Sequence, residues 1–175
     1  MNPYQPEAWR DFFVATAGAA AALTGLLFVA LSLHIRYIAL NPVHRNQARG
    51  SLIGLVQVLV LSLTALVTQP VAWTGVELAL VGVAYLVVVG GYQLSVLWRT
   101  YWKIEPRSIV PSIIGYLLAV AGVYGGVNVY FGSGPGLYVV AFIIVAIIIW
   151  NLRNAWYLLM GVADEYLNEA DPARQ

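Results

Sequence analysis

The sequence predicts an all-α integral membrane protein, a bundle of five transmembrane helices with its N-terminus outside and its C-terminus in the cytoplasm. Three observations support this prediction. The chain contains five apolar stretches long enough to cross a bilayer. It carries few charged residues for its length. Its basic residues are concentrated in alternate loops, which sets the orientation.

The composition indicates that lipid surrounds much of this chain. Of its 175 residues, 61% are hydrophobic and 10% are charged, whereas a soluble domain carries about 25% charged residues. A net charge of +1 argues against a nucleic-acid partner, because phosphate binding needs a concentrated basic face. The absence of Cys excludes disulfides, thiolate metal sites and thiol catalysis. The lipid bilayer is therefore the first predicted partner.

Five segments have the length of a membrane helix, which is about 20 mostly apolar residues. They are called spans 1 to 5 and cover approximately residues 12–35, 51–68, 74–98, 109–131 and 137–150. Their apolar runs are too long, and alternate too little, for the strands of a membrane barrel. The segments are therefore predicted to be helices.

Turn-forming residues separate the spans. Asn41-Pro42 is a favourable N-cap and first-turn pair, so span 2 is expected to begin there with a short cytoplasmic extension. Three further breaks end span 2, precede span 4 and precede span 5: Gln69-Pro70, Glu105-Pro106 and the glycine-rich segment 132–136.

The orientation follows from the distribution of Lys and Arg, which are enriched on the cytoplasmic side of membrane proteins. Of the nine basic residues, only Arg10 precedes span 1. The other eight follow spans 1, 3 and 5: Arg36, Arg45, Arg49, Arg99, Lys103, Arg107, Arg153 and Arg174. Residues 1–163 are predicted to form the five-helix transmembrane domain, and residues 164–175 a polar cytoplasmic tail.

Small residues predict which spans pack closely, because membrane helices associate through close backbone approach. Span 1 carries Ala15, Gly18, Ala22, Gly25 and Ser32 at helical spacing. Spans 3 and 4 carry similar stripes: Gly75, Ala79 and Gly82, and then Gly115, Ala119, Gly122 and Gly126. Span 5 is mainly Ile and Val and is predicted to face lipid on most sides. Spans 1, 3 and 4 are therefore the predicted core.

Glu77 is the acidic residue placed well inside an apolar segment, which makes it a candidate functional group. It also completes a capping box with Thr74, in which Thr74 caps the backbone N–H of Glu77 and the carboxylate reaches back. The carboxylate would gain further from the positive end of the helix dipole. The structural interpretation is favoured, and an ion or proton role is the alternative.

Three other polar residues are candidates for intramembrane chemistry. Arg153 lies three residues beyond Trp150 and is expected to extend towards the cytoplasmic headgroups, with a protein crevice as the alternative. Asn128 is expected to hydrogen-bond between helices. His34 is expected to be a polar group at the cytoplasmic boundary, because a haem would need facing His pairs on packed helices.

Catalytic constellations are not evident. The sequence offers no membrane-proximal Ser/His/Asp set, paired carboxylates or two-His metal site. The loops are also too short to hold an active site of their own. We therefore predict a protein that is not an enzyme and that has no cofactor and no metal.

The segments 9–13, 17–26 and 28–32, Trp-Arg-Asp-Phe-Phe, Ala-Gly-Ala-Ala-Ala-Ala-Leu-Thr-Gly-Leu and Phe-Val-Ala-Leu-Ser, resemble the first helix of small uncharacterised multi-span proteins common in actinobacteria. The resemblance is confined mainly to span 1. It implies a multi-pass protein of the bacterial plasma (inner) membrane, and it implies no particular activity.

Three functions remain open. The first is a homo-oligomeric pore or transport protein with span 1 near the axis, its Gly18, Ala22 and Gly25 packing copies together. The residues proposed to line the pore, with an apolar constriction, share one face: Thr16, Ala20, Thr24, Leu27, Leu31 and His34.

The second open function is an accessory or regulatory subunit of a larger membrane complex, packed through spans 3 and 4. The third, least favoured, is a lipid-active enzyme.

Overall fold

A computed structural model of the chain describes residues 6–99, 106–132 and 135–170. This part is all-α and contains no strand. Its helices are α1 (Pro6–Leu33), α2 (Ile35–Leu40), α3 (Pro42–Leu66), α4 (Val71–Arg99), α5 (Pro106–Tyr130) and α6 (Gly136–Ala170). Five of them are long and apolar enough to cross a membrane. These are α1, α3, α4, α5 and α6, which correspond to spans 1 to 5. The prediction of an all-α multi-pass membrane bundle is confirmed.

The helices alternate in direction, so their ends gather at two opposite ends of the bundle. The outer end is defined here as the end where α1, α4 and α6 begin, which the positive-inside rule predicts to face outside. The inner end is the end where α3 and α5 begin. Aromatic contacts at the outer end and a close approach of His44 to Gly161 at the inner end fix this arrangement.

Helix boundaries follow the turn-forming residues. Asn41-Pro42 begins α3, as expected. The helix α1 starts at Pro6, more than one turn before the predicted start of span 1, and a turn at His34 separates it from α2. The carbonyl of Pro70 accepts hydrogen bonds from the backbone N–H groups of Trp73 and Thr74, so α4 is already helical at Thr74.

The antiparallel pair α4–α5 is built on the glycines of the two predicted stripes. A methyl group added to Gly75 would overlap the backbone of Tyr130, and one added to Gly126 would overlap the backbone of Ala79. A methyl group added to Gly82 would lie 2.9 Å from the backbone nitrogen of Val123. The stripes of spans 3 and 4 therefore pack against each other within one subunit, as membrane helices with small residues do.

The centre of the bundle lies between α3 and α6, which corrects the prediction for span 5. Ile143, Ile144 and Ile147 are buried, and Ile144 is 0% exposed. Both helices bury residues at alternating spacings of four and three, as in a coiled-coil seam. The buried residues at this spacing are His44, Ala48, Ser51, Leu55, Val58 and Ser62 on α3, and Val140, Ile144, Ile147, Asn151 and Leu158 on α6. Two close contacts join the helices: the Asn151 side chain lies against Gly54 of α3, and the His44 ring lies against Gly161 of α6.

The helix α1 packs on the outside of this centre and mainly contacts α3. One face of α1 is buried, including Phe13, Ala20 and Leu27. The prediction that spans 1, 3 and 4 form the core is therefore wrong, because the second and fifth spans occupy the middle.

The helix α6 has 35 residues and would extend about 52 Å, well beyond a hydrocarbon core of about 30 Å. It continues as a helix to Ala170. The predicted border between 1–163 and 164–175 is therefore not a helix boundary. Residues 171–175 of the predicted tail lie outside the described residues.

Candidate functional site

The helix α1 has two faces of different character. Opposite its buried face, Gly18, Ala22 and Gly25 are all exposed, as are Ala15 and Ser32. A methyl group added at Gly18 or Gly25 would meet no atom within 4 Å. The small-residue face of α1, defined as Ala15, Gly18, Ala22 and Gly25, is therefore open in the single subunit.

The face of α1 that was predicted to line a pore is turned towards α3. The Thr16 hydroxyl lies 2.9 Å from the Ser62 hydroxyl of α3, and the two form a buried hydrogen bond. The Thr16 hydroxyl also lies 3.2 Å from the Phe13 carbonyl oxygen. Ala20 and Leu27 are 0% and 5% exposed. These side chains cannot face an axis shared by several copies while α1 stays packed on α3.

The remaining residues of that predicted lining bond or pack locally. The Thr24 hydroxyl donates to the Ala20 carbonyl at 2.7 Å, a back-bond that Thr commonly makes within membrane helices. Leu31 packs against a small buried cluster at the inner end. His34 Nδ1 lies 3.1 Å from the Ala30 carbonyl oxygen. The face therefore supplies packing and local hydrogen bonds.

Glu77 has a partner that the sequence analysis did not predict. Gln69 Nε2 donates to a Glu77 carboxylate oxygen at 2.7 Å. The predicted capping box is wrong, because α4 begins at Val71 and Thr74 lies within its first turn instead of at the N-cap. The carboxylate instead stabilises the turn between α3 and α4.

The other two intramembrane candidates lie apart from Glu77. Asn128 Nδ2 donates to the Tyr124 carbonyl on its own helix at 2.8 Å. The Arg153 guanidinium is exposed and lies 4.1 Å from the Trp150 ring centroid and 5.8 Å from that of Tyr157. It lies about 26 Å along α6 from Gly136, near the inner edge of a bilayer core. This position and its cation–π contacts fit a headgroup-facing arginine.

Metal and haem sites find no support in the described part of the chain. It contains no group of three or more His, Cys, Asp or Glu residues that could hold a metal ion. His44 lies buried at the inner end against Gly161, while His34 lies at the turn after α1.

A polar group between α3 and α6 was missed in the sequence. Asn151 is 4% exposed, and its Nδ2 donates to the Ile147 carbonyl at 2.8 Å. Its side chain presses on Gly54 of α3, where a methyl group would overlap the amide. Ser51 and Gln57, one turn to either side of Gly54, are also buried. The four-three spacing of Val140, Ile144, Ile147 and Asn151 is the signal that could have predicted the burial of Asn151.

A cavity of about 380 Å³ lies at the outer end of the bundle. It is called the outer cavity. Residues from all five spanning helices line it, including Trp9, Arg10 and Phe13 of α1 and Thr74 of α4, together with the turn that contains Gln69. Arg10 is the charged side chain among the lining residues that the structure describes.

Aromatic side chains fix one wall of the outer cavity. The Trp9 ring meets Tyr138 of α6 edge-on, with centroids 4.8 Å apart. Phe12 and Phe13 pack on Trp9, with centroid distances of 6.0 and 6.3 Å. This cluster attaches the first turns of α1 to the start of α6.

Comparisons of the chain with protein-family models, with curated proteins and with solved structures found no match. The resemblance of span 1 to actinobacterial membrane proteins therefore stays a prediction.

Proposed function

We propose that this chain is a homo-oligomeric protein of the bacterial plasma membrane, assembled through the small-residue face of α1 and acting as a structural or regulatory subunit without catalysis. The observation that carries the proposal is the exposure of Gly18, Ala22 and Gly25 along one side of a membrane helix.

Two exposed glycines on the same face of one helix need an explanation, because each one costs roughly 0.5–1 kcal/mol of helix stability relative to Ala. Contact with lipid tails does not compensate for this cost, because a larger apolar side chain would contact lipid equally well. A second helix can compensate for it, since small residues let two backbones approach and gain van der Waals contacts. The spacing of Gly18 and Ala22 is the small-xxx-small pattern of paired membrane helices.

A second copy of the chain is the partner that fits this face best. Copies inserted in one orientation present α1 in parallel, so the same small residues meet across a symmetry axis. The face is also apolar between Gly18 and Gly25, so burial against a second α1 leaves no polar side chain unpartnered there.

The polar lining expected for a pore is lacking on this face. Thr16 is engaged with Ser62, and Thr24 bonds its own helix. An axis surrounded by Gly18, Ala22 and Gly25 would be apolar along its length, and apolar constrictions hinder water and ions. These contacts favour a structural or regulatory assembly over an ion pore with span 1 at its axis.

An accessory subunit of a larger complex is the second candidate function. It is favoured by Ala19 and Ala21, which are also exposed and widen the small-residue surface beyond what one neighbouring helix covers. On α4 and α5, the stripe residues Gly75 and Gly126 are covered within the subunit and are not open to a partner. A partner protein would therefore also dock on α1.

The test replaces Gly18 or Gly25 by Leu and measures the native mass in nanodiscs. A Cβ atom at either position meets no atom of the same subunit within 4 Å, and both positions are exposed, so each subunit is expected to stay folded. The added side chain is expected to separate the α1 faces and disperse the oligomer. Gly91→Leu is the matched control, because Gly91 is equally open on α4 and is expected to leave the mass unchanged.

The outcomes separate the two candidates. A wild-type oligomer that is dispersed by Gly18→Leu and retained in Gly91→Leu supports homo-oligomeric assembly. A wild-type monomer that binds a partner only when Gly18 is intact supports the accessory subunit. An oligomer that persists in both Gly18→Leu and Gly25→Leu overturns assembly through α1.

A further inference from the structure

We propose that the outer cavity binds an amphiphile that combines an acidic head group with an apolar chain. This inference goes beyond the assembly of copies through α1. It rests on the volume of the cavity, on the charge at Arg10 and on the apolar side chains that line the same cavity.

Arg10 gives the cavity its preference for a negative charge. It is the basic residue predicted on the outer side of the membrane. Its side chain is exposed and lines the outer cavity. A guanidinium presents several N–H donors in a planar fork that matches carboxylate and phosphate oxygens. An acidic head group is therefore the complement of this position.

Two nearby carboxylates do not line the cavity. Asp11 follows Arg10 in the sequence but points to a different side of α1, since successive helical residues differ by about 100°. Glu77 lies behind Gln69 and accepts its amide hydrogen bond. The hydroxyl of Thr74 adds a neutral donor to the lining, so the described polar groups there are suited to an anion.

The rest of the cavity suits an apolar chain. Phe13, Leu66 and Val129 contribute to its wall from three different helices. Its volume of about 380 Å³ lies within the roughly 300–1,000 Å³ range of small-molecule sites. Such sites combine apolar walls with placed polar groups, and both kinds of lining are present here. A ligand that was polar throughout would leave this wall without a matching surface.

Both sides of the cavity are held in position before any ligand binds. The Trp9–Tyr138 contact attaches α1 to α6 on one side. The Gln69–Glu77 hydrogen bond holds the α3–α4 turn on the other. Preorganised walls reduce the ordering cost of binding.

The experiment measures contact quenching of Trp9 by ω-bromoundecanoate, with ω-bromoundecanol as the neutral probe of the same chain length. Purified protein is placed in nanodiscs of zwitterionic phosphatidylcholine at a pH where the carboxyl group is ionised. The difference between wild type and Trp9→Phe isolates the Trp9 signal from the other Trp residues. We expect quenching of Trp9 to saturate at a lower concentration of ω-bromoundecanoate than of ω-bromoundecanol.

Arg10→Gln provides the decisive variant, and Arg153→Gln, an exposed arginine near the inner end, is its matched control. Arg10→Gln is expected to lower the affinity for ω-bromoundecanoate by about tenfold, which is the effect of losing one charge-assisted hydrogen bond. The affinity for ω-bromoundecanol is expected to stay unchanged. Arg153→Gln is expected to change neither the affinity for the acid nor the affinity for the alcohol. Equal affinity for acid and alcohol, or an unchanged carboxylate affinity in a folded Arg10→Gln protein, overturns the proposal.

The acidic head can belong to a membrane lipid or to a free acid, and a second arm separates these sources. Brominated-chain phosphatidylglycerol and brominated-chain phosphatidylcholine are compared in the nanodiscs. Stronger Trp9 quenching by phosphatidylglycerol, lost in Arg10→Gln, assigns the site to an anionic lipid. Equal quenching by both lipids, with Arg10-dependent binding of ω-bromoundecanoate, assigns it to a free acid.

Discussion

Individual polar side chains in this bundle mostly find partners within one turn or on one neighbouring helix. Thr16 bonds Ser62, and Asn151 bonds the carbonyl of Ile147 while resting on Gly54. Glu77 accepts from Gln69 across the α3–α4 turn. Burial without such partners would be costly, because a membrane interior offers little water to replace them.

The Glu77 site yields a stability prediction. Glu77→Gln keeps an oxygen that can accept from Gln69 Nε2, so the free energy of unfolding is expected to change by less than about 1 kcal/mol. Glu77→Leu removes the acceptor and leaves the amide unpartnered, at a cost of about 1–3 kcal/mol. Reversible unfolding in detergent measures both.

A double-mutant cycle with Gln69→Leu tests the assigned partner. If the two groups act through their hydrogen bond, Gln69→Leu removes most of the penalty of Glu77→Leu. Additive effects would show that Glu77 stabilises the protein through another contact. If a folded Glu77→Gln protein lost a measured transport activity, this result would instead support an ion or proton role for Glu77.

The sequence predicted single sites unevenly for physical reasons. A capping box was predicted from Thr74 and Glu77, but Pro70 already starts the helical hydrogen bonding one turn earlier. The Gln69–Glu77 bond crosses a turn whose geometry the residue types do not specify. The burial of Asn151 was not predicted, because span 5 was assigned to lipid and Asn151 lies at the end of its apolar run.

Helix pairs in this protein use two kinds of packing. The α4–α5 pair relies on glycines that touch the opposite backbone, and small-residue spacing predicted it. In the α3–α6 pair, the Ile-rich helix α6 buries residues at four-three spacing, and Gly54 and Gly161 make room for Asn151 and His44. A rule based on small residues alone assigns such an Ile-rich helix to lipid, which is why the burial of α6 was not predicted.

The two glycines of the predicted GxxxG pair in α5 are expected to behave differently. A methyl group at Gly126 would overlap Ala79, whereas one at Gly122 would make an ordinary contact at 3.9 Å with Gly82. Gly126→Ala is therefore expected to lower the free energy of unfolding by about 1–3 kcal/mol, as overpacking does. Gly122→Ala is expected to be neutral or stabilising by up to about 1 kcal/mol, because Ala favours the helix.

Thermal unfolding of the two variants in one detergent provides the comparison. Both proteins carry the same added methyl group four residues apart, so a general effect on α5 would appear in both. Equal destabilisation would contradict the close Gly126–Ala79 contact and, with it, the register of the α4–α5 pair.

The sequence predicts the number of spans in the bundle but not the order of the helices in space. The five spans and their alternating direction follow from apolar length and turn residues, and the structure contains both. The order of the helices in space depends on which faces fit together. Thus α3 and α6 occupy the centre, α1 lies at the periphery, and its small residues stay open.

The orientation of this bundle in the membrane is the remaining prediction, and the absence of Cys makes it easy to test. Thr68 lies in the exposed turn between α3 and α4 at the outer end, and Asn46 is exposed near the start of α3 at the inner end. Thr68→Cys is expected to react with an impermeant thiol reagent in intact cells, because the loop beside it carries no basic residue. Asn46→Cys, next to Arg45, is expected to react only after the membrane is permeabilised. The reverse labelling pattern would place Arg10 and the outer cavity on the cytoplasmic side, and equal labelling of both sites in intact cells would show a mixed orientation.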